Sequence, residues 1–492
     1  MRICLIIPPS PFLLDERVFM HIGILKVAAV LEQRGYGVDV LDLAGIENYK
    51  DVIREYIKTK LDVGIFGITA TTPQIPYAIQ VARTIRMNLY GNESYIILGG
   101  THVSLMHTAA KREKDGGRAT EDMKALQKEV DTIVAGDGEF AIFEALETQA
   151  KLVDADDKNS PYFLSNEDFS ELPMPARHLV DVGSYNYTIE GHNAVSLIGQ
   201  LGCPFRCTFC GGRNSPFLRK IRTRSTDSVV QELRYLYNEY GFTGFMFYDD
   251  ELNVNKGWVE LLKGIIDLQD ELGEEFRLRG FVKAELFTAE QASLMYKAGF
   301  RWLLPGFESG DERILTNIDK IATREDNTRC ARLARDAGLK IKALMSIGHA
   351  GESVQSIENT KNWLLEIQPE EFDCTIITPY PGSPYFDDAK EVEDGIYQYK
   401  SPKTGDIQYQ RAVDYLKQAD YYKGDPDGGY KSYVWTPYIS RDNLVIERDK
   451  LEAEVREKLG IPFNRTGTVT KFEHSMGQGL PERILKSSDD HC

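Results

Sequence analysis

The sequence has few cysteines, no excess of basic residues and no long apolar run, and each shortage argues against a class of protein. Its 492 residues include seven cysteines, an odd number, which disfavours a disulfide-stapled secreted scaffold and favours a reducing cytoplasm. The formal net charge of -17 argues against a large nucleic-acid-binding surface. No stretch is long enough for a membrane span, and the start, MRICLIIPPSPFLLDE, predicts a strand and a loop rather than a secretory signal.

Residues 1–145 predict a doubly wound, Rossmann-like α/β domain. Five short apolar runs, from RICLII to DTIVAG, alternate with segments of helical periodicity. Such alternation predicts a parallel sheet with covered faces, which binds ligands at the carboxyl ends of its strands. Those ends carry small or hydroxylated residues that let a large ligand approach the backbone, namely Thr69, Thr71, Gly99, Gly100, Thr101, Gly136 and Gly138. Tight turns alone are the alternative.

Three further segments follow the first domain. Residues 146–190 are acidic and rich in proline and asparagine, which predicts a linker. Within 191–395 six strand–helix units predict a partial (βα)6 TIM-like barrel, with its chemistry at the carboxyl ends of the strands. Residues 396–492 predict a small mixed capping region with one clear helix, DNLVIERDKLEAEVREKLG.

Three of the seven cysteines lie together in GCPFRCTFCGG, directly after the first predicted barrel strand: Cys203, Cys207 and Cys210. A structural zinc site usually takes four ligands, and this loop supplies no fourth cysteine. A [4Fe–4S] cluster is normally held by four thiolates, so three leave one iron open to an outside ligand. The spacing favours a catalytic cluster, with a zinc knuckle or a group of core cysteines as the alternative.

The spacing C-x3-C-x2-C, with Phe209 before the last cysteine, resembles the signature of the radical S-adenosylmethionine (SAM) superfamily. In that family the open iron binds SAM, whose one-electron reduction gives a 5′-deoxyadenosyl radical. The resemblance implies SAM contacts at the later strand ends, namely Phe209, Asp249, Asp250, Glu251, Glu308 and Ser346. The alternatives are a solvated loop at 249–251, an ion pair of Glu308 with Arg313, and simple packing for Phe209. We interpret His349 as an ordinary loop histidine.

A doubly wound domain placed before such a barrel resembles the cobalamin-binding class of the superfamily. The resemblance implies cobalamin contacts along the first sheet edge, at Thr69, Thr71, Gly99, Gly100 and Thr101. Many cobalamin domains bind cobalt through the histidine of a D-x-H-x-x-G motif, which this sequence lacks. His21 and His102 are the nearby histidines, and both lie outside such a motif. The alternative is a domain that keeps the fold without the cofactor.

The resemblance implies an enzyme that methylates an unactivated carbon of a small-molecule or natural-product substrate, using methylcobalamin and the adenosyl radical. An electron donor such as flavodoxin or ferredoxin is the expected partner. The same cofactors also serve cyclisation, rearrangement or oxidation, which is the alternative function, and a sensor without catalysis is a third. A methylthiotransferase is disfavoured, because Cys4 is the one cysteine before residue 146.

Both cofactors must face one cavity for this chemistry, so we expect the first sheet edge to lie over the barrel mouth. Tyr433, Trp435 and Tyr438 of the tail are candidates to cap that cavity, with packing against the barrel as the alternative. No residue stands out from the sequence as a catalytic acid, base or nucleophile.

Overall fold

The computed structural model describes residues 2–462, except 14, 90–93, 114–115 and 425–428. Part of the predicted capping region, 396–492, therefore lies outside the described residues, as does Cys492. Two parallel sheets follow one another along the chain, and a small antiparallel sheet comes after them. Across the described ranges, no helix combines the length and apolarity needed to cross a bilayer.

The first sheet is parallel throughout, with the order β2-β1-β3-β4-β5-β6. Its strands are β1 (Arg2–Ile7), β2 (Gly37–Asp42), β3 (Val63–Thr69), β4 (Tyr95–Gly99), β5 (Thr132–Gly136) and β6 (Leu152–Ala155). Its helices are α1 (Ile22–Gln33), α2 (Tyr49–Thr59), α3 (Ile75–Asn88), α4 (Thr101–Arg112), α5 (Arg118–Glu129) and α6 (Gly138–Thr148). The winding reverses between β1 and β3, which is where sheets of this kind bind ligands.

The sequence analysis misses three elements of this first unit. Helices α4 and α5 fill the stretch between β4 and β5, for which the apolar pattern predicts neither helix. Strand β6 has only four residues and lies inside the predicted linker 146–190, yet it pairs with β5 along its length. The first sheet therefore extends to Ala155, ten residues beyond the predicted boundary.

The second sheet has the order β15-β14-β13-β12-β11-β8-β7, in which the six strands from β15 to β8 are parallel. The segment before it contains α7 (Asn166–Glu171). The strands of this sheet are β7 (Thr188–Ile189), β8 (His192–Leu197), β11 (Gly244–Phe247), β12 (Arg277–Val282), β13 (Phe300–Glu308), β14 (Lys340–Ile347) and β15 (Glu371–Ile376). Two further short strands, β9 (Gln200–Leu201) and β10 (Arg222–Thr223), form a separate antiparallel ribbon. This confirms the predicted partial (βα)6 barrel.

Helices cover the outside of the second sheet, except for the short first one, Pro216–Arg219, which lies beside the cysteine loop. They are α8 (Pro216–Arg219), α9 (Thr226–Tyr240), α10 (Trp258–Leu272), α11 (Ala289–Lys297), α12 (Glu312–Asn317), α13 (Arg324–Asp336) and α14 (Val354–Ile367). Their starts follow ordinary capping rules; for example, the Ser225 hydroxyl accepts the Ser228 N–H at the start of α9, and Gly241 ends that helix in the left-handed region.

The tail packs on the open side of the barrel, against β15 and α14. Its elements are α15 (Pro384–Asp387), β16 (Lys390–Glu393), β17 (Ile396–Lys400), β18 (Ile407–Arg411), β19 (Val434–Trp435) and α16 (Arg441–Leu459). The predicted tail helix is confirmed as α16. The buried Arg448 of this helix donates from Nε to the Cys374 carbonyl at 2.9 Å, which ties the helix to the last barrel strand.

Candidate functional site

The cysteine loop begins after β9, at the carboxyl end of the barrel strands. Cys203 and Cys207 are half-buried, Cys210 is exposed, and all three thiols are free. Gly202 has a φ of 87°, and a Cβ there would lie 2.1 Å from the Lys220 carbonyl oxygen, so only glycine fits. Within the described ranges, no three His, Cys, Asp or Glu side chains converge on a single-ion site. Assignment of the thiols to a cluster therefore rests on their spacing and their family.

Two consecutive acids at the end of β11 hold the cysteine loop by its backbone. Asp249 Oδ1 accepts the Gly199 N–H and Asp250 Oδ2 accepts the Gly202 N–H, each at 2.7 Å. Burial raises the pKa of Asp249 to about 7 and that of Asp250 to about 6, although these backbone hydrogen bonds favour the charged forms. Sequence reasoning placed both acids at SAM and missed their loop-anchoring role.

A buried charge cluster surrounds the cysteines. Burial raises the pKa of Cys203 to about 12 and also raises that of Cys207, where Lys320 and Lys283 oppose the shift. The Glu251 Oε2 atom is buried and has no hydrogen-bond partner among the described residues, and burial raises the pKa of this carboxyl to about 7. An unsatisfied carboxylate oxygen beside the loop fits the ammonium group of an amino-acid ligand such as SAM.

Glu308, at the end of β13, belongs to a network that the sequence does not reveal in full. Its backbone φ is 67°, the left-handed region that few non-glycine residues adopt. Lys320 Nζ lies 3.3 Å from Oε1, and Ser346 donates to Oε2 at 2.7 Å. The alternative pairing with Arg313 is wrong, because Arg313 instead bonds Asp406, with Nε 2.8 Å from Oδ2. Glu308 and Ser346 thus meet, together with the unpredicted Lys320.

Phe209 reaches the same network from the cysteine loop. Its ring lies 5.3 Å, centroid to centroid, from that of His349, whose Nε2 is 2.8 Å from Ser346 Oγ. Phe209 also packs against the small apolar cluster that contains Ile314 and Ile318. The structure therefore joins three of the predicted SAM residues, and it includes the histidine that the sequence analysis set aside.

A cavity of about 640 Å³ lies between the first sheet edge and the barrel mouth. The first unit contributes to its wall all five residues predicted to contact cobalamin: Thr69, Thr71, Gly99, Gly100 and Thr101. The barrel contributes Ile198, Leu201, Phe217, Leu218, Tyr248 and Asp250. The two sheet edges therefore face one cavity, which agrees with the expectation that the first sheet edge lies over the barrel mouth.

The residues on the first sheet edge suit close approach by a large ligand. Gly100 has a φ of 102°, and a Cβ there would lie 2.6 Å from the Ala70 nitrogen, so this turn requires glycine. His21 lines the cavity. His102 instead lies in the core, with 0% exposure and both ring nitrogens unbonded in the described structure. Of the two histidines that the sequence offers, only His21 reaches the cavity.

The tail contributes Tyr422 to the cavity wall, where its ring packs edge-on against Phe12 with centroids 5.4 Å apart. The three aromatic residues predicted as a cap are placed elsewhere. Tyr433 donates to Asp420 at 2.9 Å, Trp435 stacks on Tyr409, and Tyr438 is 57% exposed. None of the three lines the cavity, and the contacts of Tyr433 and Trp435 named here are made within the tail rather than against the barrel.

Two buried carboxylates of the first unit bind the segment that follows the cysteine loop. Asp137 pairs with Arg222, and both side chains are at most 1% exposed. Asp156 Oδ1 accepts the Ser215 hydroxyl at 2.5 Å and the Phe217 N–H at 2.9 Å. These contacts fix the first sheet edge against the barrel mouth.

Comparisons with known proteins agree with this geometry. Residues 197–364 match the family described as the Radical SAM superfamily, and residues 17–145 match the B12 binding domain. An uncharacterised methyltransferase of Pyrococcus horikoshii is 26% identical over 402 residues, which is 78% of this chain and 82% of that protein. An anaerobic magnesium-protoporphyrin IX monomethyl ester cyclase of Cereibacter sphaeroides is 26% identical over 387 residues, 72% of this chain and 60% of that protein.

A solved structure shares the whole architecture. The radical SAM methyltransferase TsrM of Kitasatospora setae, with cobalamin and a [4Fe–4S] cluster bound, superposes with a TM-score of 0.66 and 16% identity. The match covers 92% of this chain and 90% of that one. The same protein, with its tryptophan substrate and a SAM analogue, gives a TM-score of 0.67. At this identity the likeness concerns the fold.

The chain contains a B12 binding domain followed by a Radical SAM domain, the combination and order that cobalamin-dependent radical SAM enzymes have. The two domains imply a [4Fe–4S] cluster, SAM and cobalamin as cofactors. The residues described above fit these groups: three free thiols, an unsatisfied carboxylate oxygen beside them, and a cavity walled by glycine and threonine.

Proposed function

We propose that this enzyme transfers a methyl group to an unactivated carbon of a small-molecule substrate. One observation carries the proposal: a single cavity is walled both by the B12-binding sheet edge and by the loops of the radical SAM barrel. When bound, the cluster and SAM supply a carbon-centred radical, and cobalamin supplies the methyl group. A methyltransferase relative that spans most of this chain supports the same reaction.

The chain's own residues would bind and orient these groups. We propose that Cys203, Cys207 and Cys210 hold the cluster. Glu251 would receive the SAM ammonium group, while Glu308 and Ser346 would receive its ribose hydroxyls, with Phe209 packing beside them. Asp249 and Asp250 would act mainly through the loop backbone that they anchor.

For cobalamin, we propose contacts with the backbone and hydroxyl groups of Thr69, Thr71, Gly99, Gly100 and Thr101. The apolar part of the shared wall, including Phe217, Leu218 and Tyr248, would keep water from a reactive intermediate. The domain boundaries remain part of the proposal, with the first domain extended to include β6.

A reduced electron donor such as flavodoxin or ferredoxin is the proposed partner, because SAM cleavage by a cluster consumes one electron. A cytoplasmic location remains a prediction, supported by the six free cysteines of the described residues. The substrate of TsrM is an amino acid, tryptophan, and a small-molecule substrate is proposed here by analogy.

The test begins with anaerobic reconstitution of the full chain. The wild type is expected to bind iron and cobalamin, to cleave SAM, and, with substrate, to yield methylated product and S-adenosylhomocysteine. The variant Cys203→Ala/Cys207→Ala/Cys210→Ala should lose the iron–sulfur absorption and SAM cleavage, while it keeps cobalamin binding. Zinc or no metal in the wild-type protein at that loop would refute the proposal.

Cyclisation, rearrangement or oxidation with the same cofactors is the second candidate, favoured by the similarity to an anaerobic cyclase. SAM labelled in its methyl group separates the two functions. Transfer of the label to product supports methylation. A product without label, formed together with 5′-deoxyadenosine, supports the second candidate.

A further inference from the structure

The proposed SAM site contains a fully buried histidine to which no role has yet been given. His349 follows β14 and is 0% exposed. Its Nε2 lies 2.8 Å from Ser346 Oγ, and its Nδ1 lies 3.4 Å from the Tyr385 hydroxyl. The same hydroxyl accepts the Ala350 N–H at 3.3 Å. Both ring nitrogens of His349 are therefore engaged in hydrogen bonds.

The hydrogen-bond inventory fixes the direction of every proton in this chain of groups. The Ser346 hydroxyl has one proton and donates it to Glu308 Oε2, because a carboxylate accepts. His349 must therefore donate from Nε2–H to Ser346 Oγ. Burial lowers the pKa of His349 to about 4, so the ring is neutral and its Nδ1 accepts the Tyr385 O–H.

The network ends at Glu308, which is constrained from both sides. Lys320 binds Oε1 and Ser346 binds Oε2, and the residue has a left-handed backbone with a φ of 67°. A carboxylate held in this way has its remaining lone pairs fixed in direction. Such an acceptor matches a vicinal diol, the group that the ribose of SAM presents.

We propose that His349 and Tyr385 are positioning residues for SAM, acting through the Ser346 hydroxyl to orient the Glu308 carboxylate toward the ribose diol. The inference rests on the proposed SAM site and adds two residues that the family motif does not supply. Aromatic packing of His349 against Phe209 is the competing explanation, and it requires no hydrogen bond.

A variant that keeps an aromatic ring but lacks both nitrogens separates positioning through hydrogen bonds from simple aromatic packing. His349→Phe should raise the equilibrium dissociation constant for SAM about tenfold in the anaerobic, cluster-loaded enzyme, because the Ser346 hydroxyl loses its donor. At saturating SAM, 5′-deoxyadenosine formation should stay within about twofold, since positioning acts on binding. His349→Gln, whose amide N–H can still donate to Ser346, should recover most of the affinity.

A double-mutant cycle tests the pathway itself. Ser346→Ala should weaken SAM binding at least as much as His349→Phe, because Ser346 is also proposed to contact the ribose. The double variant should be no weaker than Ser346→Ala within about twofold. The cost of removing the 2′-hydroxyl from the ligand, measured with 2′-deoxy-SAM, should shrink in each variant. Multiplicative effects, or wild-type affinity in His349→Phe, would overturn the inference.

The matched control lies at the other end of the same sheet. His192 begins β8, and its Nδ1 lies 2.9 Å from Thr243 Oγ1, a comparable histidine–hydroxyl hydrogen bond. His192→Phe should leave SAM affinity unchanged. If the wild type itself fails to bind and cleave SAM, the proposed function fails. If the wild type binds and cleaves SAM but the effects of the two single variants on the dissociation constant multiply in the double variant, only the positioning inference fails.

Discussion

The two sheet edges that face the shared cavity differ in the kinds of residue that they carry. The first edge presents glycine, threonine and backbone groups around open space. The barrel edge lines the cavity mainly with apolar side chains such as Leu218 and Tyr248. Beside it, next to the cysteine loop, buried charged side chains bind one another, such as Glu308 with Lys320. The difference follows the proposed ligands: a large ring rich in amides is recognised by shape and backbone contact, whereas a zwitterion on a metal cluster needs placed charges.

The buried histidines follow the same division. His102, in the first unit, has no hydrogen bond to either ring nitrogen within the described structure. His349, at the barrel edge, uses both of its nitrogens. The first histidine fills space in a core, and the second orders a polar network. Perturbing each edge separately should therefore have separate consequences.

The largest effect is expected where the two edges are tied together. Arg222→Met leaves the buried Asp137 carboxylate without its partner and should lower the free energy of unfolding by about 3–5 kcal/mol. Urea unfolding of the full chain measures this loss. Arg234→Met, which breaks the exposed pair with Glu271, is the matched control and should lower the free energy of unfolding far less. Equal losses would show that the link between the edges is unimportant.

A pH-dependent effect should arise from His102. Burial lowers its pKa from 6.5 to about 3, so the unfolded chain binds a proton first as the pH falls. The free energy of unfolding therefore falls as the pH is lowered from 6.5 to 3, and the loss is about 2 kcal/mol at pH 5.

His102→Gln should remove that share of the pH dependence. Urea unfolding of wild type and variant at pH 7 and pH 5 gives the comparison. An identical drop in stability for both proteins would mean that His102 is not buried as a neutral ring.

The next effect should be confined to the cobalamin edge. Gly100→Ala places a Cβ 2.6 Å from the Ala70 nitrogen at a φ of 102°, which must displace the turn. Cobalamin affinity, measured by equilibrium binding, should fall about tenfold, while SAM cleavage is retained.

Gly35→Ala provides the control for backbone strain alone. Its φ is 82°, and no atom lies within 4 Å of an added Cβ. Cobalamin affinity should stay at the wild-type value in this variant. Loss of SAM cleavage in Gly100→Ala would show that the two edges are not separable.

The smallest effect concerns the tail. Tyr422→Leu removes an aromatic ring from the cavity wall and should weaken cobalamin binding by about three- to fivefold. Tyr438→Leu alters a side chain that is 57% exposed and should change neither cobalamin affinity nor stability. A larger effect of Tyr438→Leu than of Tyr422→Leu on cobalamin affinity would instead support the cap that the sequence predicts.

Much of the architecture could be predicted because parallel α/β units have strong local signals. The apolar runs of β1, β3 and β4 and the periodicity of α1 are visible without tertiary contacts. Helix α4 was missed because it follows a glycine-rich strand end and buries both of its histidines, so its pattern is not amphipathic. Strand β6 was missed because four residues are too short for a period to show.

Within the site, residue types were predictable and partners were not. Two consecutive acids after β11 indicated a polar site. Whether these acids contact SAM or the amides of Gly199 and Gly202 depends on where the loop folds back. Lys320 gave no signal at all, because it lies in an unremarkable turn after α12 and is brought to Glu308 only by the fold.

The sequence by itself determined the chemistry: three thiols at fixed spacing on a loop after a strand, preceded by a doubly wound domain. Those features are local, since they depend on residue identity and on a few neighbouring positions. The tertiary structure alone decided which groups meet, namely His21 rather than His102 at the cavity, Tyr422 rather than Trp435, and Lys320 rather than Arg313 at Glu308. Such meetings join residues far apart in the chain, and their distances are set by the packing of whole sheets.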